Sequence, residues 1–355
     1  MAEQTAPAGA QQERPFTVAV LGGTGYTGAE LIRLLAEHPN AELAFLSSER
    51  SAGQSVASVL PWLRNHPAAG KLKYRPLDEL TEVDVAFGCL PGGQLPGKMG
   101  LVAERAKRVL NLAGDFRLRD PEQAAAHYPA SAAWPEPFAY HVPEFDDVPE
   151  NRFVNLPGCM AVSTIYALRP LLAAGLVEDD VVVDAKTGSS GSGRTSNEHP
   201  ADRAGNFRVH KLFGHRHGPE IAQALADYAG GAAPRLQFST YSLDTPRGIV
   251  ITAYSRLRPG VTGLDVRRAY AASYARTPFV RLRQSPKSPQ DFPMLKSVVG
   301  SNVAEVAVSV RDGRCVTVAA LDNLLKGAAG QAVQVFNRLH GLPEATGLPF
   351  TAVAP

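Results

Sequence analysis

Phe16-Thr17-Val18-Ala19-Val20-Leu21-Gly22-Gly23-Thr24-Gly25-Tyr26-Thr27-Gly28-Ala29-Glu30-Leu31 is the stretch that decides the fold. It opens with a short apolar run, continues with Gly22, Gly25 and Gly28 at three-residue spacing, and passes into 29–37, where the leucines and isoleucine recur at helical period. Strand, glycine turn, helix is the order this pattern dictates. Bare backbone at such a turn lets a pyrophosphate approach the helix N-terminus and its amides. A tight turn with close helix packing also needs glycines; the flanking strand and helix favour the nucleotide reading.

Further along, 42–46 reads as a second strand ending in Ser47-Ser48-Glu49-Arg50. Residues 83–90 read as a third, buried strand before Pro91-Gly92-Gly93, and 109–112 as a fourth. Strands alternating with helical patterns imply a parallel sheet with right-handed crossovers. In such a fold the second strand ends near the adenosine ribose. Ser48 and Arg50 suit a 2′-phosphate there, and hence NADP. Glu49 between them is the residue type an NAD site uses, and Arg50 also reads as a solvated loop charge.

The pattern changes after about residue 155. Runs at 181–186, 235–242, 249–256, 303–310 and 314–321 are β-rich, and Asp312-Gly313 makes a hairpin turn between the last two. Residues 324–339 read as one long helix returning to the first domain, and the three-proline stretch 285–293 as a loop. The fold class expected is α/β: an N-terminal Rossmann-type parallel-sheet domain plus an α+β catalytic and dimerisation domain with a mixed sheet. The corresponding divisions are a disordered lead (1–15), an NADP-binding domain (16–156 plus 325–355), and a catalytic and oligomerisation domain (157–324).

Composition narrows the class. A chain of 355 residues holds two domains or one large one, and 45% hydrophobic with 20% charged residues is ordinary for a soluble protein. A net charge of +2 speaks against a dedicated nucleic-acid binder. Cys89, Cys159 and Cys315 are too few and scattered for a disulfide framework or zinc cluster, which points to a reducing cytoplasm. The Ala-, Gln- and Pro-rich lead lacks a signal-peptide core, and no apolar run reaches the roughly 18 residues of a membrane span. Neither a nucleic-acid nor a membrane partner is expected.

Four segments carry candidate chemistry. In Asn155-Leu156-Pro157-Gly158-Cys159-Met160-Ala161 the cysteine heads an apolar helical run, where the helix N-terminus favours thiolate. Cys159 is therefore a nucleophile or a small core residue. Gly214-His215-Arg216-His217-Gly218-Pro219-Glu220-Ile221 sets two histidines before a helix, which suits proton relay. It reads alternatively as a histidine-rich surface loop; metal binding lacks an accompanying ligand cluster, so no metal is expected. The run 187–194, ending in Arg194, offers amides, hydroxyls and a guanidinium to an anion, or is a flexible loop. Arg117 in Asp115-Phe116-Arg117-Leu118-Arg119-Asp120 is an anion binder or pairs with Asp115 or Asp120.

GGTGYTGAEL (22–31), AGDFRL (113–118), PGC (157–159), GSGR (191–194), GHRHGPEI (214–221) and LDNLLKGAAGQA (321–332) appear in that order. Together they resemble the N-acetyl-γ-glutamyl-phosphate reductases of the aspartate-semialdehyde dehydrogenase-like superfamily, over nearly everything after residue 15. The resemblance implies that a cysteine attacks an acyl phosphate, expels phosphate, and leaves a thioester that NADPH reduces to an aldehyde. By that resemblance Cys159 is the nucleophile, His217 the general acid/base, and His215 and Glu220 its orienting groups. Arg117 and Arg194 hold substrate phosphate or carboxylate. Gly22, Thr24, Gly25, Tyr26, Thr27 and Gly28 surround the pyrophosphate, Ser48 and Arg50 the ribose phosphate, and Asn323 the nicotinamide end.

It further implies an arginine-biosynthetic enzyme acting on N-acetyl-γ-glutamyl phosphate, in a homodimer or homotetramer. Departures from the family wording fall beside the nucleophile: Leu156 precedes the motif with Asn155 displaced, Met160-Ala161 follows, and Ala113-Gly114 replaces Ser-Ala. The stretch 199–211 resembles the branch that reduces 2-aminoadipyl or glutamyl phosphates borne on a small acidic amino-group carrier protein, in lysine or arginine biosynthesis through aminoadipate. Arg203, Arg208, Lys211 and Arg216 read as a basic rim for such a carrier, or as one that attracts the phosphate of a small acetylated substrate. The acetylglutamyl reading stands ahead of it. A cysteine hydrolase needs no glycine turn, and a non-catalytic dinucleotide sensor needs no Cys159 with His215 and His217; both are remote.

Overall fold

The computed structural model describes residues 14–131, 136–194, 199–283 and 286–353, so nearly all of the expected disordered lead and Ser285 of the proline-rich stretch lie outside the described residues. Six parallel strands form the first sheet: β1 (Phe16–Leu21), β2 (Ala41–Ser47), β3 (Val83–Gly88), β4 (Ala106–Asn111), β5 (Phe138–Tyr140) and β6 (Phe153–Asn155), in the order β2-β1-β3-β4-β6-β5. Val18 to Leu21 are entirely buried, as a central parallel strand covered on both faces must be. Helix Tyr26–Ala36 follows β1 directly. Because the strands are parallel, Gly22, Ser48, Cys89, Leu112 and Leu156 all leave the same edge of the sheet. That edge is where open α/β sheets bind ligands.

Helix Cys159–Ala173 leads into a seven-stranded mixed sheet of β7 (Asp180–Thr187), β8 (Arg208–Leu212), β9 (Arg235–Ser242), β10 (Ile249–Arg256), β11 (Val280–Arg283), β12 (Ala304–Arg311) and β13 (Arg314–Leu321). Its order is β11-β12-β13-β10-β7-β9-β8. In β10, Ile249, Ile251 and Ala253 are buried while Tyr254 and Arg256 are exposed, the two-residue alternation of a sheet with one covered face. The Cys159 helix, His217–Tyr228 and Gly263–Tyr274 supply Ile165, Leu168, Ile221, Leu225, Val266 and Tyr270 to the core on that face. Asp312 and Gly313 both take positive φ, 50° and 70°, as a two-residue hairpin requires.

Two features depart from the sequence expectations. Residues 324–339 are not one α-helix: Leu325–Ala329 is a π-helical turn, and the α-helix is Gly330–Leu339. The turn's Gly327 packs directly on Cys159, and the extra residue accommodates that contact. Strands β5, β6, β8 and β11 have only three to five residues, too few for a period to show. Leu325, Val333 and Phe336 pack with Val18, Val20, Leu31 and Leu35 in the core beneath the first sheet. Among the described residues no helix is long and apolar enough to cross a membrane.

Candidate active site

The glycine turn is built for close backbone approach. Gly22 has φ of 88°, and a β-carbon there would lie 2.7 Å from the Cys89 carbonyl oxygen. A β-carbon on Gly28 would lie 2.4 Å from the Gly22 carbonyl oxygen. Gly25 is the N-cap of helix Tyr26–Ala36 and brings no side chain to cap it, so the helix start is open to an anion. Tyr26 and Thr27 lie on the first helical turn, exposed and half-buried.

Thr24 and Ser48 hydroxyls stand 3.5 Å apart, which joins this turn to the end of β2. Glu49 turns away: its Oε1 accepts the Leu77 amide at 2.9 Å. At the end of β2 stand the Ser48 hydroxyl and the exposed Arg50 guanidinium, a donor set that fits a phosphate.

The candidate centre around Cys159 is organised by two asparagines that end neighbouring strands. Asn111 donates to Asn155 Oδ1 and to the Asp115 carbonyl, both at 2.8 Å, and Asn155 donates to the Phe116 carbonyl. These bonds hold a loop in which Phe116 takes φ of 65°, uncommon for a side chain with a β-carbon. Arg117 is thereby carried into the interior, where its Nη2 donates to the Leu112 carbonyl at 2.6 Å and its Nη1 to Glu220 at 3.3 Å. Pairing with Asp115 or Asp120, the bland sequence reading, is not what the arginine does. Asp115 instead accepts the Gly93 amide at 2.9 Å, and Asp120 caps the helix Pro121–His127.

Cys159 begins its helix immediately after Gly158. A β-carbon on Gly158 would lie 2.4 Å from His217 Nε2 and 2.8 Å from Arg117 Nη1, so the imidazole and the guanidinium both rest on the turn that presents the thiol. The Gly158 amide donates to Glu220 Oε1 at 2.8 Å, and the Tyr140 hydroxyl donates to the same oxygen at 2.9 Å. The resemblance implies that Glu220 orients His217; its carboxylate instead bonds the Gly158 amide, Tyr140 and Arg117. His215 stays beside His217, accepting its backbone amide at Nδ1 (3.1 Å) with ring centroids 4.7 Å apart. His217 Nδ1 is buried without a protein partner.

Burial holds His217 well below the usual histidine range, with Arg117 and Arg216 adding repulsion. Burial first, then repulsion from His217 and Arg216, pushes His215 down to about 2. Both rings are neutral near neutral pH and able to accept a proton. The thiol departs from the expectation drawn from its helix N-terminus. Although Cys159 is only half-buried, its enclosure pushes the thiol above its ordinary value, against the opposing pull of the Met160 amide, Arg117 and Arg216. It rests as a thiol, and its proton needs an acceptor.

Arg194 lies elsewhere. Its guanidinium donates to the Thr24 carbonyl at 3.2 Å and faces the Val59 carbonyl at 3.5 Å, over the glycine turn, so it does not join Arg117. Asn323 accepts the Gly248 amide at 2.7 Å and donates to Ser190 Oγ at 2.9 Å, fastening the 187–194 loop. A cavity of about 730 Å³ opens between the first helix and these loops, lined by Tyr26, Arg33, Trp62, Ser190, Arg194 and Arg247 among others. Of the basic rim, Arg216 and Lys211 are exposed, Arg208 is half-buried, and Arg203 donates to the Ser189 carbonyl at 2.9 Å and to Ser192 at 2.8 Å. Asn111, Tyr140 and Gly327 escaped the sequence reading; only Gly327 had a signal, a glycine inside an otherwise helical run.

The family description "Semialdehyde dehydrogenase, NAD binding domain" matches residues 17–152, and "Semialdehyde dehydrogenase, dimerisation domain" matches 159–323. The chain is 44% identical over 336 residues to N-acetyl-gamma-glutamyl-phosphate reductase 1 of Lactiplantibacillus plantarum, covering 93% of this chain and 97% of that one. A Thermomicrobium roseum protein with the provisional name LysW-L-2-aminoadipate 6-phosphate reductase is 38% identical, covering 96% and 99%. Among solved structures, Vibrio cholerae aspartate semialdehyde dehydrogenase II superposes with a TM-score of 0.69 at 16% identity, covering 92% of this chain and 98% of that one. The Candida albicans enzyme, solved with NADP, superposes at 0.64 and 16% over 92% and 98%. These likenesses show the fold.

Proposed function

This chain belongs to the semialdehyde dehydrogenase family, and on that premise we propose that it is an NADPH-dependent acyl-phosphate reductase converting N-acetyl-γ-glutamyl phosphate to N-acetylglutamate semialdehyde and phosphate. The observation that carries the reading is the Gly158 turn, which has Cys159 next to it and both His217 and Arg117 packed on it.

In this mechanism His217 takes the Cys159 proton as sulfur attacks the acyl carbon. The carbon–sulfur bond forms, the bond to the phosphate oxygen breaks, and phosphate departs with that electron pair. Arg117 balances the anionic charge, and the Cys159 amide at the helix start donates to the developing oxyanion. The glycine turn, Ser48 and Arg50 would hold NADPH, which when bound would supply the hydride that reduces the thioester. The resulting tetrahedral adduct breaks its carbon–sulfur bond, sulfur recovers the proton from His217, and the aldehyde leaves. Glu220 fixes the Gly158 turn and Arg117, Arg194 works from the cofactor side, and Asn323 shapes the nicotinamide end.

Residues 16–156 with 325–355 serve the cofactor in this reading, and 157–324 serve chemistry and assembly. The dimerisation-domain match supports an oligomer, proposed as a homodimer or homotetramer. A second reading, reduction of aminoadipyl or glutamyl phosphate on an acidic carrier protein, draws on the exposed Lys211 and Arg216 and the Thermomicrobium relative. Following NADPH oxidation with the free acetylated and the carrier-borne acyl phosphates side by side tests both. The main reading predicts faster turnover of the acetylated substrate; turnover of neither sinks both.

A further inference from the structure

Lys326 is a buried lysine that no step above uses. It sits in the π-helical turn Leu325–Ala329, and its side chain is wholly enclosed, 0% exposed, opposite a Glu144 side chain that is 1% exposed. The ammonium pairs with Glu144 and donates to Gln334, and it lies 5.7 Å and 5.1 Å from the ring centres of Tyr166 and Phe279. Glu144 is satisfied in turn by the Tyr166 hydroxyl and, at 2.7 Å, by the Gln334 amide. A buried pair gains little net stability from its attraction, because desolvation opposes it; what complete satisfaction secures is one geometry.

That geometry reaches the thiol from two sides. Tyr166 lies two turns along the helix that Cys159 begins, so the network ties the π-helical turn to the cysteine's own helix. Next to Lys326, Gly327 approaches so closely that a β-carbon on it would lie 2.8 Å from the Cys159 β-carbon and 3.3 Å from its α-carbon. Gln331, one turn on, reaches the Pro157 carbonyl at 3.4 Å. π-Helical insertions frequently mark functional sites, and this one ends in contact with the sulfur-bearing residue.

We propose that the Lys326–Glu144 pair is a positioning device for Cys159, clamping the π-helical turn to the Cys159 helix so that Gly327 fixes the thiol relative to His217. This rests on Cys159 being the nucleophile. Lys326 touches neither substrate nor cofactor in this account; it acts through Gly327.

The test is the double variant Lys326→Met with Glu144→Gln, which removes both charges at similar volume, with Gly327→Ala beside it to disturb the same contact without touching the pair. Circular dichroism establishes folding. In the folded variants kcat is expected to fall at least tenfold with KM within threefold. Iodoacetamide labelling of Cys159, read by peptide mass mapping, is expected to rise at least threefold at pH 7 as the sulfur gains freedom. A folded variant with both kcat and labelling within twofold of the parent overturns the proposal. Failure of the parent to reduce any acyl phosphate overturns the reductase reading instead, and the labelling comparison, which needs no substrate, still reports on the clamp.

Discussion

Gly158 and His217 are in contact: a β-carbon on the glycine would stand 2.4 Å from the imidazole Nε2, closer than any real pair of such atoms. The turn before Cys159 and the start of the His217 helix were therefore shaped together. The absence of a side chain at 158 is what lets the His217 imidazole and Cys159 share one corner.

Gly158→Ala should displace the imidazole, the Arg117 guanidinium or the turn itself. A displacement near 1 Å costs on the order of a hundredfold in rate when a reacting pair must align. Steady-state assays should find kcat reduced by about that factor with the fold retained; parental kcat would show that the contact has no bearing on catalysis.

Glu220 is wholly buried and accepts from Gly158, Tyr140 and Arg117. Glu220→Ala leaves the buried Arg117 without its carboxylate, and breaking such a pair costs about 3–5 kcal/mol. Urea denaturation should show a loss of that order, with a smaller loss for Glu220→Gln, which can still accept the amide.

Cofactor choice should depend on Ser48 and Arg50 and not on Glu49, whose carboxylate is engaged by the Leu77 amide. The double variant Ser48→Ala with Arg50→Ala is expected to raise the KM for NADPH about tenfold, a little over 1 kcal/mol, while the KM for NADH barely moves. Glu49→Ala should leave the NADPH to NADH ratio within about twofold. A large change in that ratio would mean the carboxylate faces the ribose after all.

Acid should destabilise the protein through its buried histidines. Burial, assisted by Arg338, pushes His141 from an ordinary 6.5 down to about 4. Between those values the unfolded state binds more protons than the folded one, so stability is full above about pH 6.5 and is lost as pH falls toward 4. For His141 alone the loss amounts to about 3 kcal/mol by pH 4. Asp115 and Asp146, raised by burial, act in the opposite direction at lower pH and offset part of it. Thermal melts from pH 7.5 to 4.5 should show Tm falling; a flat or rising profile would contradict the buried neutral state of these rings.

The longer strands were legible because apolar runs and alternation express burial directly: 235–242, 249–256 and 314–321 match the observed strands to the residue. β6 was not, although it delivers Cys159, because three residues carry no period and their pairing with β4 is a tertiary fact. Among site residues, Glu220 shows the limit most plainly. The family resemblance implies that it orients His217. Its carboxylate instead crosses to another segment, where the Gly158 amide, Arg117 and Tyr140 outcompete the nearby ring. Arg117 and Arg194 look equivalent in sequence, yet one is drawn inward by the Leu112 carbonyl while the other sits over the glycine turn. Burial of the thiol, which reverses the effect of its helix N-terminus, depends on the whole enclosure and has no local signature.

The central claim is a thioester on Cys159. Incubating the protein with N-acetyl-γ-glutamyl phosphate in the absence of NADPH and mapping acylated peptides by mass spectrometry tests it most directly. The expected result is acylation confined to the Cys159 peptide, discharged on adding NADPH with stoichiometric aldehyde, and absent in Cys159→Ala, which is inactive. Acylation at another residue, or full reductase activity in Cys159→Ala, would contradict the account.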